Sequence, residues 1–277
     1  MKIIDIITKL TQWHAPLDHP ERTNDTVKYG NPEQECTGIA VTCFASVEVI
    51  RQAIEKGCNL IICHEPLFFG DGEQDAADPE DPVFREKCAL LDQGNMVVWR
   101  DHDYMHGPGG PSAVIHKEID YIYYGIMKEL GWEAYVQGEQ TKPLWYKIPE
   151  TTVYELAREF MNKFDVCGIR VVGNQNARVS TVFFCEHVFG RPKDAQVIQK
   201  ARDADVLVPL EIVDWTVTEY VQDACSLGYP KAILEMGHFN TEDLGMRYMA
   251  KWLPEVIGTD VHVEYMRAKD PFSYISR

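Results

Sequence analysis

No Cys-x-x-Cys pair occurs among the eight cysteines of this 277-residue chain. Most of them, from Cys36 to Cys225, sit in apolar surroundings, so buried reduced thiols are expected and a disulfide framework is not. No apolar run approaches the roughly 20 residues that a membrane span needs. The N-terminus, Met1-Lys2-Ile3-Ile4-Asp5-Ile6-Ile7, carries an acid inside its apolar stretch and has no small-residue cleavage site. That pattern lacks a signal peptide and predicts a cytoplasmic protein. Positive charge is also scarce: 27 Lys and Arg stand against 43 Asp and Glu, a net charge of −16. That balance argues against duplex nucleic acid as a partner, because phosphate binding needs a basic face. A Gly-x-x-x-x-Gly-Lys loop, the usual phosphate cradle, is missing as well. No tract is of low complexity, and the densest acidic stretch, Asp71–Asp81, reads as a solvated loop.

What is present is an ordinary apolar fraction of 45%, enough to build a core over one large or two modest domains. The most informative stretch is Asn59–Phe69, in which the apolar run Leu60-Ile61-Ile62 ends in Cys63-His64-Glu65-Pro66. A short apolar run bounded by Gly57 and Pro66 predicts a buried parallel strand. Pro66 cannot extend a central strand and biases Glu65 away from helix. His64 and Glu65 therefore leave the sheet in different directions, at the strand end where open α/β sheets place ligands. The alternative is a satisfied core histidine beside a solvated carboxylate.

Along the chain, helical spacing predicts Ile3–Trp13, and His14–Gly38 reads as a long loop. Strand–helix–strand units follow: Ile39–Cys43, Ser46–Lys56, Leu60–Ile62, then helix Val83–Gln93 and strand Met96–Trp99. The last of these runs into Arg100-Asp101-His102-Asp103-Tyr104-Met105-His106 and a Gly-Pro loop. Ala113–Leu130 reads as mostly helical. The second half predicts strands at Ala134–Val136, Leu144–Ile148, Ile169–Val172, Val179–Cys185, Val206–Leu210, Ala232–Glu235 and Val261–Glu264. Helices are expected at Thr152–Phe164, Asp194–Ala201, Asp214–Leu227 and Asn240–Trp252. The βα alternation appears in both halves, so the class is α/β with two sheets. The expected domains are 1–125 and 126–277.

The second anchor is Gly237-His238-Phe239-Asn240-Thr241-Glu242. His238 and Glu242 are four apart across a predicted helix start, so both can point to one side of the first turn. Asn240 is placed to cap, and Glu242 suits the positive helix end. As a lone acid Glu242 would be only a dipole-complementing carboxylate, but the pairing with His238 fits metal ligation.

These motifs resemble the YbgI-like dinuclear metal-centre family, also called GTP cyclohydrolase 1 type 2-like. That family has His-His-Pro after an early strand, His-Thr-Asn-Leu-Asp after a later one, and Gly-His-x-x-x-Glu opening a late helix. The matching segments are His64-Glu65-Pro66, His102-Asp103-Tyr104-Met105-His106 and Gly237-His238-Phe239-Asn240-Thr241-Glu242. Glu211 falls on the family's Gly-Glu, although Leu210 replaces the glycine. Two departures concern the ligands: Glu65 stands for a His and His106 for an Asp. The swap leaves three His and two carboxylates, the formal −2 of the family set, so two divalent ions would meet the same ligand charge. Asn24-Asp25-Thr26-Val27-Lys28-Tyr29-Gly30 replaces the family's Trp-Asp-Asn-x-Gly-Leu, and Glu186-His187-Val188-Phe189-Gly190 replaces its Gly-rich turn.

The resemblance implies metal ligands His64, Glu65, His106, His238 and Glu242, with Asp103 as the alternative to His106. It implies two divalent ions per chain, which mixed His and carboxylate ligands leave open among Zn, Fe, Mn, Ni and Co. It implies a hydrolase acting on a small-molecule substrate, a purine nucleotide ring in the family's name, through a bridging hydroxide. His102, Asp103, His187 and Glu211 are the candidates to move protons. Two intertwined α/β domains with mostly parallel sheets, the metal site in the cleft between them, and a hexameric homo-oligomer are implied by the resemblance too. The competing reading is a non-catalytic metal-binding or metal-handling regulatory protein, since ligation alone is not turnover.

Overall fold

A computed structural model describes every residue except 15, 71–77, 108–118, 191, 259 and 276–277. Most of the acidic loop, the first part of the helix expected from Ala113, and His116 lie outside the described residues. The chain forms two compact units, Met1–Gly125 with Gly245–Lys269, and Ile126–Leu244 with Asp270–Arg277. Both are mixed α/β sheets with helices. No described helix is long and apolar enough to cross a membrane.

The first unit's sheet runs in the order Val27–Tyr29, Val97–Arg100, Leu60–Cys63, Ile39–Thr42, Val263–Tyr265. Its three inner strands are buried at every residue and pair in parallel, with Ile61 opposite Ala40 and Val98. This is why they read as unbroken apolar runs rather than alternating ones. Residues such as Val49, Ile50, Leu91 and Met266 pack against this sheet, and each such side chain contributes about 1.5–3 kcal/mol by leaving water. Helix Ile3–Trp13 buries Ile3, Ile6, Ile7 and Leu10, the face its spacing predicts. Ser46 caps helix Val47–Glu55, and Asp81 caps Pro82–Gln93 through the N–H groups of Val83 and Phe84. The stretch His14–Gly38 is not all loop. Val27–Tyr29 joins the sheet edge antiparallel to Val97–Arg100, three half-buried residues too few to show a period.

The second unit's sheet runs Val136–Gln137, Trp145–Thr152, Arg178–Val188, Val206–Ile212, Ala232–Glu235, Arg170–Gly173. Only the pairs around Val206–Ile212 are parallel; the outer pairs are antiparallel. Trp145–Thr152 runs past the expected Ile148 because pairing resumes at Thr151 and Thr152, opposite Val179 and Arg178, after a register break between Lys147 and Thr151. Pro149 lies there and has no N–H for the ladder. Arg178–Val188 and Val206–Ile212 also outrun their expected ends, so His187 and Glu211 lie within strands. Thr152 and Glu155 form a capping box at helix Val153–Phe164.

Candidate metal centre

In the first unit the carboxyl ends of adjacent parallel strands meet. The N–H groups of His64 and Glu65 both donate to the Cys43 carbonyl, each at 2.8 Å, so the main chain turns off the sheet at a fixed place. Asp101 N–H donates to the Cys63 carbonyl at 2.9 Å, which brings the next strand's outlet alongside. His64 is fully buried. Its Nδ1 lies 3.0 Å from the Asp101 carbonyl. Glu65 is 7% exposed, with an oxygen 3.9 Å from the Arg100 guanidinium, and Arg100 also donates to the His64 carbonyl.

The following turn, helix Asp103–His106, is held by Asp25. Its carboxylate accepts from the N–H groups of His102 (2.8 Å), Asp103 (3.0 Å) and Tyr104 (2.8 Å). Burial, reinforced by the charge of Asp101, raises the Asp25 carboxyl to about 6, while these three N–H bonds pull the other way. Asp101 itself is buried facing His14 Nε2 at 3.5 Å. Asp103 is taken up on all sides, by His102 Nδ1 at 3.0 Å, Thr23 Oγ1 at 2.8 Å and Asn24 N–H at 2.9 Å. The His102 bond chiefly holds its carboxyl well below the usual range, against burial.

This scaffold puts His106 Nε2 3.1 Å from His64 Nε2, while His106 Nδ1 lies 3.2 Å from Asp120 Oδ2. Asp120 also caps the following helix, accepting from the N–H groups of Ile122 and Tyr123. The tautomers follow. The Asp101 carbonyl can only accept, so His64 carries its proton on Nδ1. An ionised Asp120 likewise places the His106 proton on Nδ1. Both Nε2 lone pairs then converge, an arrangement that calls for a cation or an extra proton between them. Two ligands about 2.0–2.1 Å from one ion, at octahedral to tetrahedral angles, lie about 2.8–3.4 Å apart, and the observed separation falls inside that range. His102 stacks on His64 with centroids 4.5 Å apart, and the three imidazoles form a group able to hold a metal ion. An open cavity of about 370 Å³ reaches His106 and Asp103 from Leu17, His19 and Arg22.

The second unit assembles its own group, His187, Glu211 and His238. The strand Arg178–Val188 bulges at Glu186, where φ is +58° and the register shifts on either side. Such a bulge re-aims the neighbouring side chain, here His187, whose Nδ1 lies 2.8 Å from Glu211 Oε2. The Phe189 ring stacks on His187 at 5.0 Å. Glu211 Oε1 lies 2.5 Å from His238 Nδ1, and His238 Nε2 is 2.8 Å from Glu242 Oε2. Burial pushes the Glu211 carboxyl up, but the bonds from His187 and His238 outweigh it and bring it to about 2. Gly237 precedes with φ +98°, and a Cβ there would strike Phe272, so this turn needs glycine.

The helix begins at His238, not at Asn240 as the sequence suggests. Asn240 does not cap; its side chain donates to the Met236 carbonyl and to Asp270. His238 and Glu242 thus sit one turn apart on the same helix face. His64, His102, Asp103 and His106 come together in the first unit, and His187, Glu211, His238 and Glu242 in the second. Sequence reasoning passed over Asp25 and Asp120. Asp120 carries the signature of an N-cap before an apolar helix, but it was absorbed into the expected helix Ala113–Leu130.

The sequence model of the family described as Duf34/NIF3 (NGG1p interacting factor 3) matches residues 1–271. A Clostridium perfringens protein named GTP cyclohydrolase 1 type 2 homolog is 26% identical over 99% of this chain and 100% of its own length. A Staphylococcus aureus protein of the same name is 39% identical over 63% of this chain but only 44% of its own length. Among solved structures, a Bacillus cereus protein related to NIF3 superposes with a TM-score of 0.71 at 16% identity, covering 99% of both chains. Protein ybgI superposes with a TM-score of 0.68 at 18% identity, covering 98% of this chain and all of the other.

Proposed function

The chain belongs to the Duf34/NIF3 family, and from that membership we propose that it is a divalent-metal-dependent hydrolase of a small molecule. The observation that carries the reading is the facing pair of His64 and His106 nitrogens, 3.1 Å apart, each ring held from behind by an acceptor. The ligands we assign are His64, Glu65, His106, His238 and Glu242, for two divalent ions per chain. Bound ions of this kind supply Lewis acidity and water acidified enough to attack at neutral pH.

The chain's own residues would do the rest. Asp25 and Asp120 hold the His102–His106 turn, and Arg100 fixes the backbone at His64. We assign proton movement to two of the four candidate side chains, His187 and His102; the His187 ring is half-exposed and its Nδ1 is anchored. Asp103 and Glu211 are held ionised and engaged by several partners, so they orient the imidazoles of His102 and His187. His102, stacked on His64, faces the same group and serves as the first unit's proton carrier. The names of the curated relatives suggest a purine nucleotide ring as substrate.

A substrate screen with metal-reconstituted protein tests this. Turnover of a nucleotide or related heterocycle, lost in His238→Ala, supports the hydrolase. Tight metal binding without turnover across the screen would favour a metal-handling protein. We also propose a ring-shaped hexamer; a stable 31.7 kDa species in light scattering at micromolar concentration would contradict it.

A further inference from the structure

We infer that Glu211 is a positioning residue that fixes the ring orientation and tautomer of both His187 and His238, through one carboxylate oxygen each. The inference rests on the proposed role of His238 as a ligand. Glu211 Oε2 meets His187 Nδ1 at 2.8 Å and Oε1 meets His238 Nδ1 at 2.5 Å. A carboxylate only accepts, so both imidazoles carry a proton on Nδ1. His238 is then obliged to use Nε2 for any ion, and Nε2 is the nitrogen that lies 2.8 Å from Glu242. Ligating histidines are commonly oriented by such a carboxylate behind the ring.

The arrangement is built rather than incidental. Glu211 lies in the strand Val206–Ile212, which pairs in parallel with the strand that carries His187. The bulge at Glu186 turns His187 to the same carboxylate. Gly237, at a φ that favours glycine, lets the chain turn sharply enough to bring His238 down on the other oxygen. One side chain therefore couples a proposed ligand to a proposed proton carrier. That links the second unit's two imidazoles to one another without any ion.

The amide of Glu211→Gln offers one acceptor oxygen and one donor N–H₂. Only one of the two imidazoles can keep its Nδ1–H partner, and the other must turn its Nδ1 lone pair to the amide. The test is nitrogen-15 long-range NMR on protein labelled at histidine, metal-free and then loaded with zinc. The wild type should show Nδ1 protonated in both His187 and His238. Glu211→Gln should move the proton to Nε2 in one of them and weaken zinc binding about 10–100-fold by chelator competition. Glu211→Asp, which keeps two acceptor oxygens and presents no donor, should keep Nδ1 protonated in both rings, where Glu211→Gln keeps it in one only.

Wild-type His238 protonated on Nε2 alone would overturn the inference, and needs no variant to fold. Unchanged tautomers and unchanged zinc affinity in Glu211→Gln would overturn it too. A wild type that binds no zinc yet shows both Nδ1 protons would sink the metal reading while leaving the positioning role standing.

Discussion

Restoring the family's carboxylate at position 106 is the most revealing perturbation of the first unit. His106 Nε2 lies 3.1 Å from His64 Nε2. An Asp side chain is shorter than an imidazole by roughly one covalent bond, about 1.3 Å, so His106→Asp withdraws its donor from that point. It also changes the proposed set to two His and three carboxylates, a formal −3, and strips Asp120 of the ring it holds. Changes behind a ligand already cost about 10–100-fold in affinity, so losing the ligand should cost at least that, about 1.4–2.7 kcal/mol or more. Adding Glu65→His returns the set to −2 and should recover part of the loss, because ligands of one centre do not act additively. Recovery will be incomplete, since Glu65 is also a counter-charge 3.9 Å from Arg100, itself 2% exposed. Chelator competition on the two single variants, the double variant and Asp103→Ala reads this directly. Additive losses without rescue, or an unaffected His106→Asp beside an Asp103→Ala that binds no metal, would refute the swap.

Other expectations concern the scaffold. Asp25→Ala removes the acceptor of three N–H groups and should cost about 2–4 kcal/mol in urea unfolding, lowering metal affinity with it. Because the Asp25 carboxyl is raised to about 6 from 3.8, the native state binds more protons than the unfolded chain between those values. Its contribution to stability is therefore full below about 4 and is lost as pH rises through about 6. The stability of Asp25→Asn, measured at the same pH values, should lack that component, and identical profiles for the two proteins would count against it. Gly125→Ala would place a Cβ 2.8 Å from the Gly245 Cα, where backbone cannot yield, and should cost about 1–3 kcal/mol by thermal unfolding. Lys231 donates to the carbonyls of Ala201, Arg202 and Ala204 at 2.7, 2.9 and 2.5 Å. Lys231→Met should destabilise by about 2–4 kcal/mol, and a change under 0.5 kcal/mol would mean those bonds contribute little net stability.

The three inner strands of the first unit's sheet are legible because they are buried at every residue, and unbroken runs such as Leu60-Ile61-Ile62 read as strand once Gly57 and Pro66 bound them. Helices were marked by their apolar spacing and closing glycines such as Gly57 and Gly94, and the structure adds the caps at Ser46, Asp81 and Thr152. What escaped was structure that is not periodic. Val27–Tyr29 is three residues long, and the bulge at Glu186 depends on a backbone angle that the residue type does not advertise. At the site, the histidines were visible as residues at strand ends. The carboxylates behind them were not, because Asp25 and Asp120 act from 77 and 14 positions away in sequence. Glu211 was visible but its role was not, since only the fold shows both of its oxygens occupied by imidazoles.

The central claim is that these imidazoles and carboxylates hold divalent metal. Elemental analysis of protein purified without chelators, then dialysed against zinc, manganese or iron(II), tests it most directly. The account predicts close to two ions per chain, and a clear fall in each of His64→Ala, His106→Ala and His238→Ala while the fold is kept. Wild-type protein that retains no stoichiometric metal under any of these conditions would contradict it, as would full retention by all three variants.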